Sequence, residues 1–457
     1  MKFLRSVIPL SWSVLLLSSA LHAANADRHV VLITIDGFPA YLWRDESIPL
    51  PNLRRLAADG AVAAAMTIAN PAITWPNHTT LVTGVSPRKH GVLFNGLVTR
   101  QGPGKPTKIE QWADKTVLVR VPTVYDAAHA AGLTTAEVDW VAVTRAKTIT
   151  WSFAELPSTT DPLPREMVAA GVITAAELDA AALRANGRNI VWRDEMWSRA
   201  ANFIFERHRP NLLLYHPLAT DSTHHRYGPG SLAGTVALAL ADRRVGDLLR
   251  TIDATGRRAQ TTIIVTTDHG FKKVEKYCYA NVVLKQAGLL RTAGATIAQC
   301  DAYVGAQGGA AFVYVTDPAR RAELVPQLKE LFARAEGVAQ VLDATTAAHG
   351  LGMPTPAENE AMGELILYAK DGYAFSGAAI GDLAAGPAEN YGGTHGYLNT
   401  DPQLDGIFLA QGAGIKRGVK LDRVRNLDVA PTIAHLLGVA LPTADGNVMK
   451  AILADAQ

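Results

Sequence analysis

Three aspartates that follow hydrophobic stretches are the residues of this sequence best suited to bind a metal ion. Asp36 and Asp268 each end a stretch rich in β-branched residues, and Asp221 follows a hydrophobic stretch through a short loop. Such stretches are typical of strands buried on both faces of a parallel sheet, and folds of this kind place their chemistry just beyond the carboxyl ends of the strands. A single aspartate at a strand end is more often a turn or cap residue. The repetition of the pattern favours a shared site.

Three histidines accompany these aspartates. His269 directly follows Asp268, His225 lies four residues after Asp221, and His395 lies in a glycine-flanked segment. Residues four apart point to the same side of a helical turn, as two ligands of one ion must. Mixed imidazole and carboxylate ligands suit Zn²⁺ better than Mn²⁺ or Fe. The predicted metal ligands are Asp36, Asp221, His225, Asp268, His269 and His395.

A threonine in residues 70–84 is a candidate nucleophile. Thr74 lies just before a predicted helix, with Pro76 tolerated in its first turn and Gly84 as its stop. Backbone N–H groups and the helix dipole favour an oxyanion there. Two divalent cations bring four positive charges, and three carboxylates with a threonine alkoxide would balance them. The alternative is that Thr74 only caps the helix.

Five motifs, in this order along the chain, resemble the alkaline phosphatase superfamily and, within it, the nucleotide pyrophosphatase/phosphodiesterase branch. The resemblance extends from Val30 to about Gly446. The motifs are Ile35-Asp36-Gly37-Phe38; Thr74-Trp75-Pro76-Asn77-His78 with Leu81-Val82-Thr83-Gly84 and His90-Gly91-Val92; Asp221-Ser222-Thr223-His224-His225-Arg226-Tyr227-Gly228-Pro229; Thr267-Asp268-His269-Gly270; and His395-Gly396-Tyr397.

This resemblance implies an α/β fold with an alkaline-phosphatase-like, mostly parallel central sheet between layers of helices, and a small α+β cap insertion. It implies a hydrolase that acts on a small phosphodiester or pyrophosphate, such as a nucleotide, through a phospho-threonine intermediate. It also implies a phosphate-orienting role for Asn95. By position, Asp36, Thr74, Asp268 and His269 would surround one of two zinc ions, and Asp221, His225 and His395 would hold the other.

Three departures from the family pattern leave the substrate open. Trp75 replaces the usual Phe, His224 replaces a more frequent Gly, and His216 begins a stretch that differs from the usual Glu-Pro-Asp. A phosphomonoesterase or phosphonate hydrolase of the same superfamily would use a basic pair for a dianionic phosphate, and Arg145 with Lys147 is a candidate pair, although such a pair is more often a solvated strand edge. A non-catalytic binding protein is less favoured, because the ligand set is complete.

The chain is predicted to begin with a signal peptide, residues 1–26, which has two basic residues, a short apolar run and an A-x-A end. An uncleaved anchor is the alternative, and no other membrane span is expected. Export predicts a periplasmic or secreted protein. The catalytic core is assigned to residues 27–271 and 391–457, with an insertion at about 95–198, and the cap to 272–390.

Composition limits the partners. The 457 residues carry a formal net charge of +2 without a basic stripe, so binding to a nucleic-acid duplex is not expected. The two cysteines, Cys278 and Cys300, either pair in an oxidising compartment or remain free thiols.

Overall fold

The hydrophobic run before Asp36 forms the strand His29–Thr34, in the interior of an eight-stranded sheet. All its residues are buried. Val30 and Leu32 contact one hydrophobic cluster and Val31 and Ile33 another, because successive side chains point to opposite faces of a strand. Burial on both faces explains why the run is apolar throughout. The computed structural model describes residues 24–178 and 189–454.

The central sheet is mostly parallel, as predicted. Gly406–Gly412 runs antiparallel to both of its neighbours, and the other adjacent strands are parallel. In spatial order the strands are Val419–Arg425, Ala61–Thr67, Gly406–Gly412, Thr261–Thr266, His29–Thr34, Leu212–Tyr215, Thr135–Val138 and Trp151–Phe153.

Helices cover both faces of this sheet, which confirms the predicted α/β fold. One face packs against Pro51–Asp59, Ile190–His208 and Leu232–Ala254, and the other packs against Thr74–Thr83, Val124–Ala130 and Val429–Leu437. The other described α-helices are Ala40–Trp43, Pro87–His90, Lys115–Leu118, Pro162–Ala169, Ala219–Tyr227, Ala280–Gln286, Arg321–Ala333 and Ala344–Ala347. Short 3₁₀ helices span Arg258–Gln260, Pro318–Arg320, His349–Leu351, Pro402–Leu404, Asn426–Asp428 and Lys450–Ile452.

Residues 95–198, predicted as an insertion, extend the central sheet. Thr135–Val138 pairs in parallel with Leu212–Tyr215, and Trp151–Phe153 pairs in turn with Thr135–Val138 as the edge strand. A separate hairpin joins Leu97–Thr99 to Lys108–Glu110. This segment therefore belongs to the sheet whose strand ends carry the predicted site.

Residues 272–390 contain a second, antiparallel sheet. Its strands, in spatial order, are Ala302–Gln307, Ala310–Val315, Leu365–Ala369 and Val338–Asp343, and the helix Arg321–Ala333 packs on it. Two smaller sheets accompany it: the hairpin Leu290–Ala293 with Thr296–Cys300, and Lys272–Cys278 paired with Gly372–Phe375, Ala385–Pro387 and Gly393–Thr394. The segment thus contains both strands and helices, as an α+β insertion does, and its division from the core as a cap stays a prediction.

The two cysteines are separate, buried thiols. Cys278 and Cys300 form no disulfide. Burial raises the pKa of the Cys278 thiol to about 12 and that of Cys300 to about 11. Both are therefore protonated and unreactive at neutral pH.

The predicted signal peptide lies outside the described residues up to position 23, and its cleavage stays a prediction. Ala24, Asn25 and Ala26 are described, and the Asn25 amide donates a hydrogen bond to the Leu437 carbonyl. Within residues 24–178 and 189–454, no helix is long and apolar enough to cross a membrane.

The helix Thr74–Thr83 begins at Thr74 itself, one residue earlier than predicted. Ile73 is the N-cap, in extended conformation, and every residue of the helix is buried. Gly84 ends the helix with φ +68°, and its N–H donates to the Thr80 carbonyl. Glycine adopts this left-handed conformation without the steric cost that a Cβ brings. The Thr74 hydroxyl thus lies on the first turn of a helix with a well-defined end.

Asn77 fixes the entry into this helix. Its side-chain oxygen accepts hydrogen bonds from the Ala69 amide and the Asn426 side chain, both at 2.8 Å. Its NH₂ group donates to the carbonyls of Pro71 and Ile73, both at 3.0 Å. The side chain is fully buried.

We expect Asn77→Ala to lower the free energy of unfolding by about 2–4 kcal/mol, because buried backbone groups lose their partners. Denaturant unfolding monitored by circular dichroism would measure this change. A loss of stability below about 0.5 kcal/mol, the range of an ordinary surface substitution, would show that Asn77 does not hold the chain where it enters the helix.

Candidate active site

Three neighbouring strands bring the predicted carboxylates to one edge of the sheet. Asp36 follows His29–Thr34, and Asp268 follows its parallel neighbour Thr261–Thr266. Leu212–Tyr215 pairs with the other side of His29–Thr34 and leads into the helix that carries Asp221. Parallel strands end at the same edge, so the three side chains converge.

Two overlapping groups of side chains have the geometry of metal ligands. In each group, one ligand atom per residue lies within 4.8 Å of the others. The groups are Asp221 with His225 and His395, and Asp36 with Asp221 and His269. Asp268 Oδ2 lies 3.2 Å from His269 Nε2, which places this fourth ligand at the second group. The structure thus brings together all six predicted ligands, with Asp221 between the two groups.

The helical spacing of Asp221 and His225 has the predicted consequence. Both lie on the helix Ala219–Tyr227, and His225 Nε2 is 3.4 Å from Asp221 Oδ1. His395 follows the short strand Gly393–Thr394, and its Nε2 lies 3.8 Å from the same oxygen.

Each of the three histidines uses Nδ1 to bind the backbone. His269 Nδ1 lies 3.1 Å from the Gly270 carbonyl, and the corresponding nitrogens of His225 and His395 lie 3.0 and 2.8 Å from carbonyl oxygens. A carbonyl only accepts, so Nδ1 carries the hydrogen and Nε2 keeps its lone pair. This arrangement is typical of histidines that bind a metal through Nε2.

Three buried carboxylate oxygens of the predicted metal ligands have no hydrogen-bond partner. They are Asp36 Oδ1, Asp221 Oδ1 and Asp268 Oδ2. An unpartnered buried charge is costly, and a bound cation removes that cost. The residues present therefore fit divalent metal ions.

Burial controls the protonation of these groups. It raises the pKa of Asp36 well above its usual range, with a further contribution from the neighbouring charge of Asp268, and raises the pKa of Asp221 to about 6. Burial also lowers the pKa of His269 to about 3 and that of His395 well below its usual value. His269 and His395 are therefore neutral at physiological pH, whereas Asp36 and Asp221 need a positive charge nearby to ionise fully.

The candidate nucleophile lies beside these ligands. Thr74 Oγ1 is 3.4 Å from His269 Nε2. The amide of the next residue, Trp75, donates a 3.0 Å hydrogen bond to Asn95 Oδ1. This bond fixes the Asn95 side chain at the start of the Thr74–Thr83 helix, as a phosphate-orienting role requires.

A cavity of about 210 Å³ opens over these residues. Its walls come from the core and from residues 95–198, and none of its described lining residues lies in 272–390. Neither a lysine nor an arginine is among the described lining residues. They are Thr74, Trp75, Asn95, Gln111, Trp112, Asp139, Val141, Glu155, His216, Leu218, Asp221, His225 and His395.

A second, larger cavity of about 700 Å³ adjoins the first. The two share Trp75, Trp112, Val141 and Glu155. Trp140 and Trp151 also line the larger cavity, which gives it four tryptophans. Trp75 therefore forms a wall beside the candidate nucleophile.

The predicted basic pair does not reach the catalytic cavity. Arg145 lines only the larger cavity. Its side chain is largely exposed and forms an ion pair with Asp114. Lys147 is exposed and lines neither cavity. These positions are those of a solvated surface segment.

The family described as type I phosphodiesterase/nucleotide pyrophosphatase matches residues 30–398. The chain belongs to this family.

Its relatives include ectonucleotide pyrophosphatase/phosphodiesterase family member 7 from Homo sapiens. The identity is 24% over 93% of this chain and 83% of the human protein. The Mus musculus member 7 is 24% identical over 97% of this chain and 91% of its own length. The structure of human ectonucleotide pyrophosphatase/phosphodiesterase 5 has the same fold, with a TM-score of 0.69 and 17% identity over 93% of this chain and 100% of that chain. A murine member 5 structure, an inactive form in complex with AMP, gives the same TM-score at 16% identity over the same shares of both chains.

In this phosphodiesterase family member, three residues of the cavity with titratable side chains have no role assigned from the sequence. They are Asp139, Glu155 and His216. Asp139 directly follows the strand Thr135–Val138, and His216 directly follows Leu212–Tyr215. The strand-end rule that identified Asp36 and Asp268 applies to both positions, so the signal was present in the sequence.

We expect the zinc affinity of the protein to fall as the pH decreases below about 6, because protons compete for Asp221 and Asp36 while His269 stays neutral. Chelator competition between about pH 5 and pH 8 would measure the affinity. Asp221→Asn should bind zinc more weakly and lose part of this pH dependence. Equal zinc affinity at the lowest and at the highest pH would contradict the assignment of the carboxylates as metal ligands.

Proposed function

We propose that this protein is a zinc-dependent hydrolase of phosphodiester or pyrophosphate bonds that works through a phospho-threonine intermediate. One observation carries the proposal: three unpartnered carboxylate oxygens and three histidine Nε2 atoms converge beside a threonine hydroxyl on the first turn of a helix. Family membership supports the hydrolysis of phosphodiesters.

Two zinc ions per chain would be held by the two groups of side chains. Asp36, Asp268 and His269, with Thr74, would hold one ion, and Asp221, His225 and His395 would hold the other. Asp221, which belongs to both groups, lies between them. Divalent ions bound there supply Lewis-acid stabilisation of the attacking, leaving and equatorial oxygens.

The residues of the chain position the reacting atoms. The Thr74 hydroxyl gives its proton to solvent and Oγ1 attacks phosphorus, and the new P–O bond forms as the bond to the leaving oxygen breaks. The leaving group departs as an alkoxide or phosphate and takes a proton from solvent. Water then attacks the phospho-threonine, which releases phosphate product and restores the hydroxyl.

The start of the Thr74–Thr83 helix supports this chemistry. Trp75 N–H is already bonded to Asn95 Oδ1, which leaves the Asn95 NH₂ group to donate to a phosphoryl oxygen. The positive end of the helix dipole favours the negative charge that develops beside Thr74. Preorganised donors of this kind usually make a large contribution to catalysis.

The cavities favour a phosphodiester over a phosphomonoester. A diester is a monoanion at phosphorus and needs less positive charge than a monoester dianion. The described residues of the catalytic cavity include neither lysine nor arginine, and the adjoining cavity offers an aromatic wall for the second substituent. A nucleotide substituent fits this wall, and the AMP complex of the murine member 5 supports a small-molecule nucleotide substrate.

We also propose that the protein works in the periplasm or outside the cell, since residues 1–26 have the pattern of a signal peptide. Its substrates would then be extracytoplasmic small molecules. The small net charge without a basic stripe gives no support to binding of a nucleic-acid duplex.

Thr74→Ala should abolish turnover and leave both zinc ions bound, because the hydroxyl is the nucleophile and only a weak ligand. We expect a loss of at least about 10³-fold in kcat, and Thr74→Ser should retain part of the activity. Steady-state kinetics with elemental analysis of the same samples would measure both properties. A Thr74→Ala variant with more than about a tenth of the wild-type kcat would contradict the covalent mechanism.

The substrate preference is tested with an aryl phosphodiester and an aryl phosphomonoester. We expect kcat/KM to be higher for the diester, and the double variant Arg145→Ala/Lys147→Ala to leave diester hydrolysis nearly unchanged, because neither side chain lines the catalytic cavity. A monoester preference above about a hundredfold, or about 2.7 kcal/mol, that disappears in the double variant would show that the basic pair is catalytic.

A further inference from the structure

His216 is a buried histidine whose two ring nitrogens both lie within hydrogen-bonding distance of an oxygen atom. Nε2 lies 2.9 Å from Asp36 Oδ2, and Nδ1 lies 2.9 Å from the backbone carbonyl of Asp139. The side chain is 2% exposed. Its ring also packs against His78, with ring centres 4.3 Å apart.

The backbone around His216 holds it in this position. The His216 amide donates to the Val138 carbonyl at 3.1 Å, which continues the pairing of two parallel strands. Asp139 has φ +56°, a left-handed conformation, and its amide donates to the Phe153 carbonyl at 2.9 Å. The Asp139 carbonyl is therefore held beside His216 Nδ1 by three adjacent strands.

The two oxygens of the Asp36 carboxylate have different surroundings because only one of them contacts His216. Oδ2 is bonded to His216, whereas Oδ1 has no hydrogen-bond partner and lies 3.4 Å from His269 Nε2. A carboxylate held through one oxygen offers the other in a fixed direction. Groups that orient a metal ligand in this way commonly change metal affinity about 10–100-fold when they are removed.

We propose that His216 is a positioning residue for the metal site formed by Asp36, Asp268 and His269. A hydrogen bond of 2.9 Å joins its Nε2 to Asp36 Oδ2, which leaves Asp36 Oδ1 as the oxygen available to a metal ion. This inference rests on the proposed zinc-dependent function. It assigns a role to one of the positions at which this chain departs from the family pattern.

The alternative is that His216 only fills space and anchors the turn at Asp139. The two roles use different nitrogens, which makes them separable. A glutamine places its NH₂ group near the position of Nε2, whereas an asparagine places it near Nδ1. His216→Gln therefore keeps a hydrogen-bonding group for Asp36, and His216→Asn keeps one for the Asp139 carbonyl.

His29 provides a matched control. It begins the same strand that Asp36 follows, so it lies at the opposite edge of the sheet. It is 6% exposed, and its Nδ1 lies 2.8 Å from the Pro210 carbonyl. His29→Ala removes a buried, backbone-bonded imidazole without touching the site.

The experiment measures zinc stoichiometry by elemental analysis, and zinc affinity by chelator competition, for the wild type and four variants. In His216→Ala we expect one of the two bound zinc ions to lose about 10–100-fold in affinity, with the other unchanged. His216→Gln should stay within a few-fold of the wild type, and His216→Asn should resemble His216→Ala. His29→Ala should bind both ions as the wild type does.

Two results would overturn the inference. One is a His216→Ala variant that binds both ions with wild-type affinity. The other is equal affinity in His216→Gln and His216→Asn, a comparison that also decides the matter if the alanine variant does not fold. If the wild type itself binds fewer than two zinc ions, the proposed function fails as well.

Discussion

The candidate site depends on three carboxylates that are buried together beyond the carboxyl ends of three adjacent strands. Asp36, Asp221 and Asp268 each have a buried oxygen without a hydrogen-bond partner, and burial raises the pKa of Asp36 and of Asp221. Such a cluster is unfavourable in the absence of counter-charge. Cations supplied from solution relieve this cost, so the instability of the empty cluster and its affinity for metal have the same physical origin.

Five of the six ligand side chains have one atom held by the protein and another left free. The histidines are anchored through Nδ1 to backbone carbonyls, and Asp36 is anchored through Oδ2 to His216. Asp268 is anchored through Oδ1, which accepts the Gly37 amide at 3.2 Å. Because the orientation of the free atoms is fixed before any ion binds, little reorganisation is needed on binding.

Much of the site could be predicted from the sequence because its determinants are local. A strand that ends in Asp36, a helical spacing between Asp221 and His225, and a threonine before a proline-containing first turn are all visible in short segments. His216 was noted only as a departure, because its role depends on Asp36 and Asp139, which are far away in sequence. Contacts of that kind are set by strand order, and strand order cannot be derived from local patterns.

The residues that form the walls of the cavity could not be derived from local sequence patterns either. The cap assigned to residues 272–390 stays a prediction, and the described lining comes from the core and from residues 95–198. Weak, short strands such as Trp151–Phe153 gave no sign that they join the central sheet, since pairing with a distant neighbour compensates for low local preference. Whether Cys278 and Cys300 pair was equally undecided in the sequence, and the structure shows two separate buried thiols.

The central claim is that the two overlapping groups of side chains hold two metal ions beside Thr74. Anomalous diffraction from crystals of the zinc-loaded protein, recorded on both sides of the zinc absorption edge, tests it most directly. We predict two zinc peaks, one among Asp36, Asp268 and His269 and the other among Asp221, His225 and His395. A single peak, or zinc bound only outside these six side chains, would contradict the account.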